Sequence, residues 1–189
     1  MSGKSLVRLS RNIEQGHADG YVVGLSERWL LLLLVGDGVV YSGFQAFRLQ
    51  DISAIAIPSP RAQFYQAVLR KRKLRRPATP KVELTNTARL LSSAALCFPL
   101  VTIHREIADP GVCHIGLVQS VNRTFVALLE ITPDAAWESA STKYRLAEIT
   151  RVDFGGPYEE ALALVSEPAN AIVEGTLRDK AARRPSLPR

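Results

Sequence analysis

The chain alternates short apolar runs with polar breaks at a spacing that strands fit better than helices. Leu6 to Ile13 alternates apolar and polar positions, with Leu9 and Ile13 bracketing Arg8, Ser10 and Arg11. Gly20 to Leu25 forms a second apolar segment, and the polar turn Ser26-Glu27-Arg28 leads into the intensely apolar run Trp29 to Val35, which reads as a buried strand. Gly36-Asp37-Gly38 follows. Asp-Gly between apolar runs marks a tight hairpin, because glycine takes positive φ without strain. Val39 to Leu49 and Ile52 to Ile57 complete five strands, and Pro58 and Pro60 end the sheet because proline donates nothing to a ladder. Helical spacing then takes over: Arg61 to Arg72 places Phe64, Ala67 and Val68 on one side. A second helix is predicted over Thr85 to Cys97, stopping before Pro99. A third is predicted over Tyr158 to Ser166, with a stripe of Tyr158, Ala161, Leu162 and Val165 and with Pro157 suited to its first turn.

The same pattern occurs twice, over Leu6 to Leu69 and Leu100 to Leu164. Leu6-Val-Arg-Leu-Ser-Arg-Asn-Ile13 aligns with Leu100-Val-Thr-Ile-His-Arg-Glu-Ile107, matching Arg11 to Arg105. Gly20 to Trp29 aligns with Gly116 to Phe125 without a gap. Phe47-Arg-Leu-Gln-Asp-Ile-Ser-Ala-Ile55 aligns with Tyr144-Arg-Leu-Ala-Glu-Ile-Thr-Arg-Val152, pairing Arg48 with Arg145 and Asp51 with Glu148. Phe64 to Val68 aligns with Tyr158 to Leu162. The spacing between matched blocks changes only where loops are expected, and loops absorb insertions more readily than strands. The expected organisation is a first repeat over residues 1–76, a linker and helix over 77–98 opening with Pro77-Ala-Thr-Pro80, a second repeat over 99–168 and a mobile basic tail over 169–189.

Five short strands with one tight hairpin, repeated, predict a mainly β fold of two tandem five-stranded barrels, each followed by a short helix. At the level of fold this resembles the SH3-like and Sm-like small barrels. Ile149-Thr-Arg-Val-Asp-Phe-Gly-Gly156 matches the closing signature of the Sm-like RNA-binding family only loosely. Together with Val101-Thr-Ile-His-Arg-Glu106 and Tyr158-Glu-Glu-Ala-Leu162, that segment also resembles a scattered group of uncharacterised bacterial proteins, a resemblance that brings no function with it. A repeat of about 65 residues buries little surface alone, so the two are expected to pack on each other or the chain to form a homo-oligomer.

Composition narrows the class. Hydrophobic residues make up 47% of the 189, normal for a globular chain. No apolar run approaches the roughly twenty residues of a membrane-spanning helix, so no membrane association and a cytoplasmic location are expected. The two cysteines, Cys97 and Cys113, are then not expected to form a disulfide. Net charge is +6, but it is concentrated in Arg70-Lys-Arg-Lys-Leu-Arg-Arg76 and in the tail from Leu177 to Arg189, which leaves the rest of the chain mildly acidic.

The residues with chemical potential do not converge in the sequence. His104, Cys113 and His114 lack ligand-pair spacing, even with Cys97 and His17 added, and adjacent Cys113 and His114 point to opposite faces of a strand. Glu159 and Glu160 are adjacent on a helix and do not face each other, and Asp51 and Glu148 suit turns better than acid–base work. No glycine-rich phosphate loop is present. No enzyme activity, metal or cofactor is therefore expected. The leading expectation is a non-catalytic bacterial protein-interaction module, adaptor or immunity-type. Its protein partner would be met through barrel edges or through Trp137 in the longest loop, with Arg48 and Arg145 as matched surface cations; Trp137 could equally fold back over a barrel mouth. The alternative is nucleic-acid binding through Arg70, Lys71, Arg72, Lys73, Arg75 and Arg76, whose cations would neutralise phosphates. The bland reading of that run is a solvated helix end, where cations complement the carbonyl terminus.

Overall fold

A computed structural model of the chain describes residues 5–13 and 16–166, so the tail expected over 169–189 lies outside the described residues. Five strands come first: β1 (Leu6–Arg11), β2 (His17–Leu25), β3 (Trp29–Val35), β4 (Tyr41–Arg48) and β5 (Ile52–Ala56). Helices α1 (Ala62–Lys71) and α2 (Thr87–Cys97) follow. Then come β6 (Val101–His104), β7 (Cys113–Val121), β8 (Phe125–Glu130), β9 (Thr142–Arg145), β10 (Arg151–Phe154) and α3 (Pro157–Val165). The fold is mainly β, with five strands in each half as the pattern predicts.

The expected closure of each half into its own barrel is not seen. All ten strands form one antiparallel sheet in the order β5-β1-β2-β3-β4-β10-β6-β7-β8-β9. The hydrogen bonds that would close the first half are used elsewhere: β4 pairs with β10 of the second half, not with its own β5. The sheet is therefore open, with β5 at one edge and β9 at the other.

Within that sheet the two halves run in the same order, 5-1-2-3-4 and 10-6-7-8-9. Their irregularities coincide as well. A bulge falls between Val22 and Gly24 of β2 and between Val118 and Ser120 of β7. A 3₁₀ turn joins β4 to β5 at Leu49–Asp51 and β9 to β10 at Leu146–Glu148. Gly20 and Gly116 are both required by close backbone approach. A Cβ at Gly20 would stand 2.4 Å from the Leu33 carbonyl oxygen, and one at Gly116 would stand 2.2 Å from that of Leu129.

Burial explains the apolar run of β3. Leu31 and Leu33 enter one core cluster while Leu30 and Leu32 enter another, so both faces of this central strand are covered and no polar alternation survives. The larger cluster draws on both halves and on both central helices, with Leu6, Trp29, Leu90, Leu91, Ala94, Val126 and Val152 among its members. α2 is thus part of the core as well as of the connection. The Asn86 side chain caps it by accepting from the Arg89 amide at 2.9 Å.

Two helix faces differ from the periodicity reading. The seated face of α1 is Ala62, Tyr65 and Leu69, while Phe64 is exposed and Ala67 and Val68 are only half-buried. The ring of Phe64 lies beside Tyr65 and under the guanidinium of Arg61, at the surface. On α3 only Leu162 is buried; Tyr158, Leu164 and Val165 are exposed. A short helix laid on a sheet needs few anchors, so its apolar positions exceed what the sheet covers.

Candidate interaction surfaces

The inner junction between the halves shows how these strands join. β10 pairs with β4 through Arg151↔Phe47, Val152↔Ala46, Asp153↔Gln45 and Phe154↔Phe44. Phe44 stacks on Phe154 at 5.9 Å, and Phe98 closes the group at 5.1 Å from Phe154. Gly43 approaches the second half so closely that a Cβ would stand 2.6 Å from the Gly156 nitrogen, and its φ of +86° already favours glycine.

Polar groups complete this junction. Arg11 donates two hydrogen bonds to Glu106, at 2.8 and 2.6 Å, with its guanidinium over the Phe47 ring at 4.9 Å. Glu106 also accepts from the Thr150 hydroxyl at 2.6 Å and lies 3.3 Å from Arg151. Burial alone would push the Glu106 carboxyl up. The bonds from Arg11 and Thr150 and the charges of Arg11 and Arg151 outweigh it, holding the carboxyl at about 2. His104 is buried against Asp153 at 3.1 Å and Arg151 at 3.0 Å, and Gln45 donates to Asp153 across the junction at 3.2 Å. The repeat aligns Arg11 with Arg105, and the sequence gives little sign that Glu106, Arg151 and Asp153 gather at one junction. The available signal was weak: charged residues at positions where the strand pattern expects a covered face.

The two outer edges present the strands left over. Among the described residues β5 pairs only with β1, and β9 only with β8. Ile55 is 39% and Ile57 67% exposed, whereas Val152 and Phe154, at the aligned places of the second half, are 0% and 1% exposed. An exposed strand edge with apolar side chains is a template for another strand.

The partner-binding candidates separate. Trp137 is half-buried, bridges to Ile131 and packs on the cluster of Leu100, Ile131 and Leu162, so it caps this end of the second half. Arg48 is held by Asp51 at 2.7 and 3.1 Å and donates to the Ala147 carbonyl at 3.2 Å, tying the two halves together. Its aligned partner Arg145 is open, with its side chain 66% exposed and 4.0 Å from Glu148. Arg70, Lys71, Arg72, Lys73, Arg75 and Arg76 are all exposed, at the end of α1 and beyond it. Arg72 donates to the Gly38 carbonyl, and Arg76 lies over the Tyr21 ring at 4.6 Å.

Cys113 faces His104 across β6 and β7 but is itself exposed, as is Cys97. Partial desolvation of its sulfur, with Asp153 nearby, pushes the Cys113 thiol up, which works against a thiolate nucleophile. His114 meets Glu130 at 3.1 Å and stacks on Tyr144 at 4.4 Å. Among the described residues no group of three or more His, Cys, Asp or Glu side chains is placed to hold a metal. No helix among them is long and apolar enough to cross a membrane. A groove of about 720 Å³ lies between the β2–β3 turn, the start of α2 and the β7–β8 turn, lined by Arg28, Arg89 and Arg123 with Asn86 and Asn122 and without a lining carboxylate.

Comparison with protein-family models, with curated proteins and with solved structures finds no match for this chain.

Proposed function

We propose that the protein is a non-catalytic interaction module, adaptor or immunity-type, that binds a protein partner by accepting a strand at its open sheet edge. The observation that carries this reading is the contrast between Ile55 on β5 and Ile57 just beyond its end, both exposed, and Val152 and Phe154, buried on β10. Strand addition supplies main-chain hydrogen bonds for affinity and side-chain pockets for specificity. Each half reads as an opened five-stranded unit of the SH3-like or Sm-like kind; the shared strand order and the coincident bulges and 3₁₀ turns support this. A photo-crosslinking residue at position 55 or 57 tests the edge reading, with position 96 on α2 as an exposed control. Crosslinks to a defined partner from 55 or 57 but not from 96 are expected. Equal labelling from all three positions would refute edge binding.

A second reading is polyanion binding, favoured by the groove of Arg28, Arg89 and Arg123 in addition to the exposed basic run from Arg70 to Arg76. It requires retention on single-stranded nucleic acid that falls steeply with salt. Replacing the six basic residues of the run by Ser should abolish retention, and Arg28→Ser with Arg123→Ser should weaken it. Unaltered retention in both variants would sink this reading.

A further inference from the structure

The inner junction is heterologous: it joins the outer edge of β4 in one half to the outer edge of β10 in the other. β9 holds in the second half the place that β4 holds in the first, and β5 holds in the first the place of β10. The chain therefore ends its sheet with the two complementary edges of a junction it has already made once. We propose that these edges meet between molecules, so that β9 of one copy pairs antiparallel with β5 of the next, in a head-to-tail assembly. This rests on the edge-binding reading above and names its partner as a second copy of this chain.

The alignment fixes the register. Replacing each member of the inner pairs by its counterpart gives Ala54↔Tyr144, Ile55↔Lys143, Ala56↔Thr142 and Ile57↔Ser141. Three of these four pairs join residues of β5 and β9, and the fourth, Ile57↔Ser141, lies one residue beyond each strand. Ile55 and Ile57 take the places of Val152 and Phe154, so the pairing sets Lys143 and Ser141 opposite these exposed apolar side chains. Opposite Ile55, the aliphatic stem of Lys143 lies along it with the ammonium in water. Two features of the inner junction are missing outside. Ala54 and Ala56 replace Arg151 and Asp153, and Ser59 and Ala140 replace the close-packed Gly156 and Gly43. The outer pairing is accordingly weaker than the inner one, and the assembly depends on concentration. Head-to-tail contacts close into a ring when the rotation per copy divides a full turn and otherwise extend as a filament.

Sedimentation analysis of the full chain over a wide concentration range should show mass rising in multiples of the single chain, and Ile55→Lys with Ile57→Lys should abolish the rise without lowering the unfolding midpoint. Opposed Cα atoms of antiparallel strands stand about 4.5–5.5 Å apart, within disulfide reach. In a Cys97→Ser, Cys113→Ser background, Ile55→Cys with Lys143→Cys should therefore form an intermolecular ladder under mild oxidation, and Ile55→Cys alone should not. A dimer from Ile55→Cys alone would indicate a two-fold contact and overturn the head-to-tail assembly. A chain that stays monomeric at every concentration also overturns it. If position 55 still crosslinks a foreign strand, the edge-binding reading survives; if it crosslinks nothing, both fall.

Discussion

β10 and β5 hold the same place in their halves and meet different fates. β10 is hydrogen-bonded on both sides, by β4 and β6, and its Val152 and Phe154 lie in the main core. β5 is bonded on one side by β1, and its Ile55, with Ile57 just beyond its end, is open to solvent. The two strands follow matching 3₁₀ turns, but β10 gains both a second strand neighbour and core packing on its face. An edge strand keeps unpaired N–H and C=O groups whatever its side chains are, and it is the neighbour that turns such a strand into an interior one. The matched arginines repeat this lesson. Arg11 is buried on Glu106 of the other half, while Arg105 pairs with Glu148 and Asp109 near the surface.

The comparison is broken most severely at the buried ion pair. Arg11→Met should cost about 3 kcal/mol, because it leaves the covered Glu106 with only Arg151 and the Thr150 hydroxyl as partners. Urea unfolding would show this as a lowered midpoint, and Arg105→Met, at the half-exposed counterpart, should cost about 1 kcal/mol or less. Gly43→Ala should cost about 2 kcal/mol, since the added Cβ meets the Gly156 backbone. Gly111→Ala sharpens that test: Gly111 has a similar φ of +76° but nothing within 4 Å, so only the backbone strain of about 1 kcal/mol remains. Thermal melts of the two variants should differ by several degrees.

Acid acts on the same junction. The Glu106 carboxyl, at about 2 in the folded chain against an ordinary 4.5, lowers the free energy of the folded state above pH 4.5. That contribution is lost as pH falls from 4.5 toward 2. Denaturation midpoints measured through this window should decline less in Glu106→Gln than in the native chain. An identical decline would assign the acid sensitivity to other carboxylates. The smallest effect separates the two strands directly. Val152→Ala should cost about 1–3 kcal/mol, and Ile55→Ala, at its aligned place, should stay within about 0.5 kcal/mol in dilute solution. A large loss from Ile55→Ala in dilute protein would mean that β5 is covered within the single chain.

The element boundaries were legible because they rest on local chemistry. Gly36-Asp37-Gly38 sits in the β3–β4 turn, with the Gly36 amide donating to Val40 and the Val39 amide to Gly36, but the left-handed residue there is Val39, at φ +52°, in place of a glycine. Asn86 caps α2, and Pro157 occupies the first turn of α3. The candidate site was less legible. The apolar Ile52 to Ile57 read as one more strand, and nothing local marks which strand ends a sheet. The seated faces of α1 and α3 were misjudged because a short helix offers several apolar stripes, and the underlying sheet selects one. Trp137 illustrates the same limit: its position in a long loop was plain, but its inward packing on Leu100 and Leu162 depends on residues distant in sequence.

By itself the sequence determined the local structure of the described residues: the succession of short strands and helices and the turn at Gly36-Asp37-Gly38. Those are set by side-chain periodicity, proline and glycine, which act over a few residues. Only the tertiary structure decided that the strands form one open sheet. Which edge meets which depends on main-chain groups that every strand carries alike, and on contacts such as Arg11 with Glu106 that the chain closes over a long span.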